Sequence, residues 1–197
     1  MLARGKPWQA RTVDDKDGNP LTIRLALADD AQDILALKLS ILREGLYDAL
    51  LPEEYMFDAQ QEAGWINDST SSDRNLLLVA ESENRIVGVL YFRASSEFRC
   101  NHWGEFGMGI YETYRGKRIG TILVESLLEW AYDHPRLEKV CLKVFDINPT
   151  AVGLYQKLGF VEEGRLKKSL RLGPTMYSDA ILMAKFVKVK PSKSDVT

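Results

Sequence analysis

Residues 115–120 read Arg-Gly-Lys-Arg-Ile-Gly, between an apolar run at 103–111 and a stretch where Ile119, Ile122, Leu123, Leu127, Trp130 and Ala131 recur at helical spacing. A glycine turn that carries a strand into a helix leaves the first N–H groups of that helix without intrahelical partners. Those donors share the direction of the positive end of the helix dipole and form a ready anion site. Lys117 and Arg118 add charge suited to a phosphate or pyrophosphate. The loop therefore reads as a phosphate cradle between a strand and a helix.

Downstream, Val140, Leu142 and Val144 alternate with Lys139, Cys141 and Lys143, which predicts a strand over 139–145. Asn148-Pro149 then starts a short helix, with Asn as cap and Pro at the first helical position, and Gly159 ends it as a left-handed cap. Strands at 160–172 and 176–187 follow. Upstream, 21–25 alternates as a strand, and Ala28-Asp29-Asp30 caps a helix with Ile34, Leu35, Leu37, Leu39, Ile41 and Leu42. Residues 44–65 are acidic and aromatic, with one or two short helices. Runs at 76–80 and 86–92, joined by Glu83-Asn84-Arg85, read as two more strands. This order predicts a mixed α/β sheet with helices on its faces. Residues 1–20, with Gly5, Pro7, Gly18 and Pro20 among charges, read as a flexible N-terminal arm. A single domain is expected over 21–187 and a flexible tail over 188–197.

The 197 residues are 45% hydrophobic and 27% charged, the composition of a soluble globular domain. A formal net charge of −2 makes no electrostatic case for nucleic acid or a membrane surface. No apolar run nears the ~18 residues needed to span a bilayer, and the charged N-terminus has no secretory pattern. Two cysteines, Cys100 and Cys141, and two histidines, His102 and His134, lack metal-ligand spacing. The expectation is a cytoplasmic protein with no metal.

Taken together, the loop and the segment Asn148-Pro-Thr-Ala151-Val-Gly-Leu154-Tyr155-Gln-Lys-Leu-Gly159-Phe160 resemble the GNAT superfamily of acetyl-CoA-dependent N-acetyltransferases. That family carries Arg/Gln-x-x-Gly-x-Gly/Ala in its coenzyme loop and Asn-x-x-Ala-x-x-Leu-Tyr-x-x-x-Gly-Phe in the following helix. The second pattern matches throughout. The first matches at Arg115 and Gly120, with Arg118 where the central glycine stands. The resemblance extends to branches related to phosphinothricin, amino-acid and ribosomal-protein N-acetyltransferases. It implies a largely antiparallel central sheet of about six to seven strands, with helices on both faces and a splayed cleft for the coenzyme.

The implied co-substrate is acetyl-CoA. Its pyrophosphate would sit on the backbone of Arg115, Gly116, Lys117, Arg118, Ile119, Gly120 and Thr121, and its pantetheine would pair with Met108, Gly109 and Ile110. Gly107 and Gly109 suit a bulge or a close approach there. Asn148 is either a pantetheine contact or only a helix cap. Arg118 is tolerated if its φ stays negative.

By family position Tyr155 would protonate the departing thiolate; otherwise it is a packed helix tyrosine. Glu105, ten residues before Arg115, is either the base that deprotonates the amine or a surface glutamate, and His102 is a second candidate. The acceptor, a small-molecule amine or a peptide amine, would enter beside 44–65, where most of the acids read as a solvated helix face. A non-catalytic acetyl-CoA-binding module of the same fold stays open beside the enzyme, as do a homodimer and a monomer.

Overall fold

The computed structural model describes residues 8–188. Eight strands form one sheet in the order β1-β2-β3-β4-β5-β6-β8-β7. They are β1 (Arg11–Asp14), β2 (Pro20–Leu25), β3 (Asn75–Ser82), β4 (Arg85–Ala94), β5 (Trp103–Ile110), β6 (Lys139–Phe145), β7 (Val161–Arg171) and β8 (Tyr177–Phe186). Every neighbouring pair is antiparallel except β5 with β6.

The helices are α1 (Ala31–Glu44), α2 (Ala59–Ser71), α3 (Ile119–Asp133) and α4 (Pro149–Lys157). In α1, Ile34 and Leu37 project the same way and are fully buried, together with Ile66 of α2, against Leu77, Val79 and Val89 of the sheet. Truncating Leu37 to Ala would cost roughly 2–5 kcal/mol, the usual range for a fully buried leucine. On the other face Leu123 and Leu127 of α3 reach the larger core of Leu78, Leu90, Phe92, Phe106, Val140 and Leu142. Local chemistry sets the ends of these helices. Asp58 accepts the Gln61 N–H at 2.8 Å while the Gln61 side chain accepts the Asp58 N–H at 2.9 Å, a reciprocal cap on α2. Gly45, at φ +65°, turns the chain out of α1.

The mixed, largely antiparallel sheet with helices on both faces is the expected architecture. The strand beyond the expected six to seven is β1, which falls inside the stretch read as a flexible arm. Residues 8–20 instead carry β1 and the turn into β2. Val13 and Trp8 pack on the larger core, and four residue pairs join β1 to β2. Four residues among charges were too short a run to outweigh the glycines and prolines beside them. Residues 1–7 of that arm, and all of the expected tail except Lys188, lie outside the described residues. Among the described residues no helix is long and apolar enough to cross a membrane.

Candidate active site

Strands β5 and β6 pair only through Trp103 with Lys139, Gly104 with Val140 and Glu105 with Cys141. Beyond that, β6 stays with β8 along its whole length, and β5 runs on from Phe106 to Ile110 bonded only to β4. The divergence opens into a cleft of about 1970 Å³ that continues past Tyr91 to Lys38 and Trp65. Met108, Gly109 and Ile110 line it from β5. Arg115, Gly116, Arg118, Ile119, Gly120 and Thr121 line it from the loop, and Asn148 and Tyr155 from around α4. No bulge breaks the β4–β5 register. Side chains also crowd these glycines: a Cβ on Gly107 would lie 2.5 Å from the Tyr91 ring, and one on Gly109 2.4 Å from the flexible tip of Ile41, Cδ1.

The loop differs from its expected form in two ways. Arg115 lines the cleft, but its donors are already engaged within the protein. Its N–H donates to Glu112 O at 3.1 Å, and its guanidinium donates to both oxygens of Glu44 at 2.7 and 2.6 Å and to Ile110 O at 3.2 Å. Arg118 has φ +68°, not the negative value expected of a residue entering a helix. The left-handed region costs a non-glycine residue about 1–2 kcal/mol, which explains why the resembling pattern keeps glycine there. The Arg118 side chain stays exposed, 3.9 Å from Glu125.

The first helical bond runs from Ile122 N–H to Arg118 O at 3.1 Å. The N–H groups of Ile119, Gly120 and Thr121 are therefore helix-start donors. Lys117 does not line the cleft; its ammonium lies over the Tyr114 ring, 5.1 Å from the centroid.

Tyr155 is 7% exposed, with Phe106 and Phe160 ring centroids 5.7 and 6.0 Å away. Burial pushes its phenol up to about 12, so it carries its proton at neutral pH. Asn148 caps α4, its Oδ1 accepting the Ala151 N–H at 3.0 Å.

At the other end of the cleft, Glu105 stands exposed on β5, opposite Arg93 of β4. Tyr91 also lines this end. Burial raises its phenol, and the Asp48 and Glu105 carboxylates add to that. Cys141, in register with Glu105, is pushed up to about 11 by burial. His102 does not line the cleft.

One cluster escaped the sequence reading. Glu62, counted among solvated acids, is fully buried in α2. It accepts from Lys38 Nζ at 2.7 Å and from the Tyr55 hydroxyl at 2.7 Å, while Lys38 Nζ lies 3.7 Å from the Trp65 ring centroid. Burial lowers the Lys38 pKa and raises that of Tyr55. The available signal was spacing: Glu62, Ile66 and Ser69 share one helical stripe.

Residues 42–160 match the family model described as Acetyltransferase (GNAT) family. Over 154 residues the chain is 29% identical to the SPbeta prophage-derived uncharacterized N-acetyltransferase YokL of Bacillus subtilis, covering 77% of this chain and 81% of that protein. It is 31% identical over 109 residues to the L-amino acid N-acetyltransferase AaaT of Escherichia coli, covering 55% of this chain and 66% of that one. The crystal structure of a GNAT-family acetyltransferase from Streptococcus pneumoniae superposes with a TM-score of 0.80 at 28% identity, over 85% of this chain and 99% of its own.

Proposed function

The chain belongs to the acetyltransferase (GNAT) family, and on that premise we propose that this N-acetyltransferase moves the acetyl group of acetyl-CoA directly to a primary amine of a small molecule or a peptide N-terminus. One observation carries the reading. The unshared edge of β5, the helix-start N–H groups at 119–121 and the protonated Tyr155 line a single cleft.

In this reading the peptide groups of Met108, Gly109 and Ile110 hold the pantetheine amides as an added strand would. The backbone from Gly116 to Thr121 takes the pyrophosphate. Arg115 holds the loop to α1 through Glu44. Glu105 accepts a proton from the incoming ammonium, directly or through water, and the freed nitrogen lone pair attacks the thioester carbonyl carbon. As the C–S bond breaks, Tyr155 gives its proton to the departing thiolate, and the second proton of the acylated nitrogen passes through water to the Tyr155 phenolate, leaving a neutral amide, free thiol and the proton held by Glu105. Neither Cys100 nor Cys141 lines the cleft, and burial holds the Cys141 thiol protonated, which supports direct transfer.

Asp48 and Glu105 beside Tyr91 favour a cationic amine, and the relative named for L-amino acids makes an amino-acid amine the first acceptor to test. A reducing cytoplasm suits the two free cysteines. The non-catalytic alternative rests on Arg118 and on the open choice of base; the left-handed backbone of Arg118 keeps the shape a glycine would give, which weakens the first ground. A thiol-release assay with acetyl-CoA and a panel of amino acids, polyamines and short peptides tests the proposal. Turnover with at least one amine is expected. Coenzyme binding without thiol release across the panel would overturn it in favour of a binding module.

A further inference from the structure

The turn between β1 and β2 lies against the coenzyme loop. The Lys16 N–H donates to Lys117 O at 3.1 Å. The turn is internally fixed, since the Asp15 carboxylate accepts the Asp17 and Asn19 N–H groups at 2.8 and 2.9 Å, and the Asp15 N–H donates to Asn19 O at 2.9 Å. At the far end of β1, Arg11 fastens the hairpin to α3 through Glu129 at 2.7 Å and Ser126 at 2.8 Å. The hairpin is thus anchored to the same helix whose first turn forms the anion site.

Two consequences follow from that contact. In a trans peptide the C=O and N–H point in opposite directions. With Lys117 O held by the hairpin, the N–H of the same peptide, which belongs to Arg118, points away from it. The second consequence concerns charge. Lys16 is exposed and lines the cleft beside Gly116, Arg118 and Thr121. Lys117 is turned to the Tyr114 ring, and Arg118, which shares the cleft lining with Lys16, approaches Glu125 at 3.9 Å.

We propose that Lys16 is a phosphate contact of the coenzyme, delivered to the loop by the β1–β2 hairpin. This rests on the reading of the loop as the seat of acetyl-CoA. The ligand chemistry is a phosphate group at the nucleotide end, and the pyrophosphate and the ribose 3′-phosphate are its two sources. An ammonium on an exposed turn adds charge without ordering the loop, so its removal weakens binding and leaves the fold intact.

Calorimetric titration of the full chain with acetyl-CoA, repeated at a series of ionic strengths, tests this in wild type, Lys16→Ala and Lys16→Glu. Lys16→Ala should raise Kd about five-fold and Lys16→Glu more, and both should flatten its dependence on salt. Equal Kd values in all three, with wild type binding, would overturn the Lys16 assignment alone. Absence of wild-type binding would remove the coenzyme reading, and the Lys16 assignment with it. Repeating the series with 3′-dephospho-acetyl-CoA distinguishes the sources. A difference that vanishes identifies the 3′-phosphate, and one that persists identifies the pyrophosphate.

Discussion

Arg115 holds both carboxylate oxygens of Glu44, at 2.7 and 2.6 Å, and so binds the end of α1 to the coenzyme loop. Glu44 is the last residue of α1, and Gly45 sends the chain into 46–57, the segment proposed to flank the acceptor. The two substrate segments therefore share one fastening. For a bidentate, partly exposed pair, Glu44→Ala should cost about 1 kcal/mol of stability. It should also raise the acceptor KM by several-fold and change the acetyl-CoA Kd much less. Steady-state kinetics beside calorimetry would check this, and an unchanged acceptor KM would separate the two segments.

Tyr155→Phe should lower kcat by about 10²-fold, the lower end for a lost general acid, with little change in coenzyme affinity. The same residue sets an alkaline limit. Its folded-state value of about 12 stands above the usual tyrosine 10. The stability it contributes is therefore complete below pH ~10 and is lost as pH rises from there through ~12, on the order of 2–3 kcal/mol. Denaturant titrations at pH 9 to 12 should show a shallower decline in the Phe variant. Parallel declines would assign the alkaline limit to other groups.

Arg118→Gly should relieve the left-handed strain while adding freedom to the unfolded chain, for a net gain of at most about 1 kcal/mol. For a chain of this size that is at most about 2–4 °C in Tm. Arg118→Val should move Tm the other way, because a β-branched side chain tolerates positive φ poorly. A thermal scan of both variants decides the matter; a lower Tm for the glycine variant would mean that the Arg118 side chain outweighs the strain.

Glu62→Ala should be among the costlier single changes in the molecule. It strands the half-buried Lys38 ammonium and the Tyr55 hydroxyl, at about 3–5 kcal/mol. Lys38→Met combined with Glu62→Leu should recover most of that loss, since an apolar pair needs no compensation. Urea unfolding of both variants provides the check. Equal losses would show that the cost lies in packing and not in an uncompensated charge.

The sequence carried the fold wherever periodicity was long. Ile122, Leu123 and Leu127 announced α3, and Asn148-Pro149 and Gly159 bracketed α4, because caps and stripes are local signals. β1 was hidden by its brevity, and its partner strand gives it most of its order. At the site, the backbone features were readable from two motifs, since glycine and a helix start dictate anion geometry directly. Side-chain commitments were not. That Arg115 would turn to Glu44, or Glu62 to Lys38, depends on residues distant in sequence that only the folded chain brings together. Arg118 is the instructive case. The motif marked the position as glycine-like, and the helical setting suggested negative φ; the geometry of the loop prevailed.

The three-pair junction of β5 and β6 makes the sheet two leaves joined by a short seam, with β1 to β5 on one side and β6 to β8 on the other. An acyl donor laid along 106–110 would extend the ladder into the gap and brace the leaves against each other. The co-substrate would then act as a removable structural part as well as a reactant. Its binding should slow amide exchange on both sides of the seam together, and the stability of the molecule would rise with the supply of its own substrate.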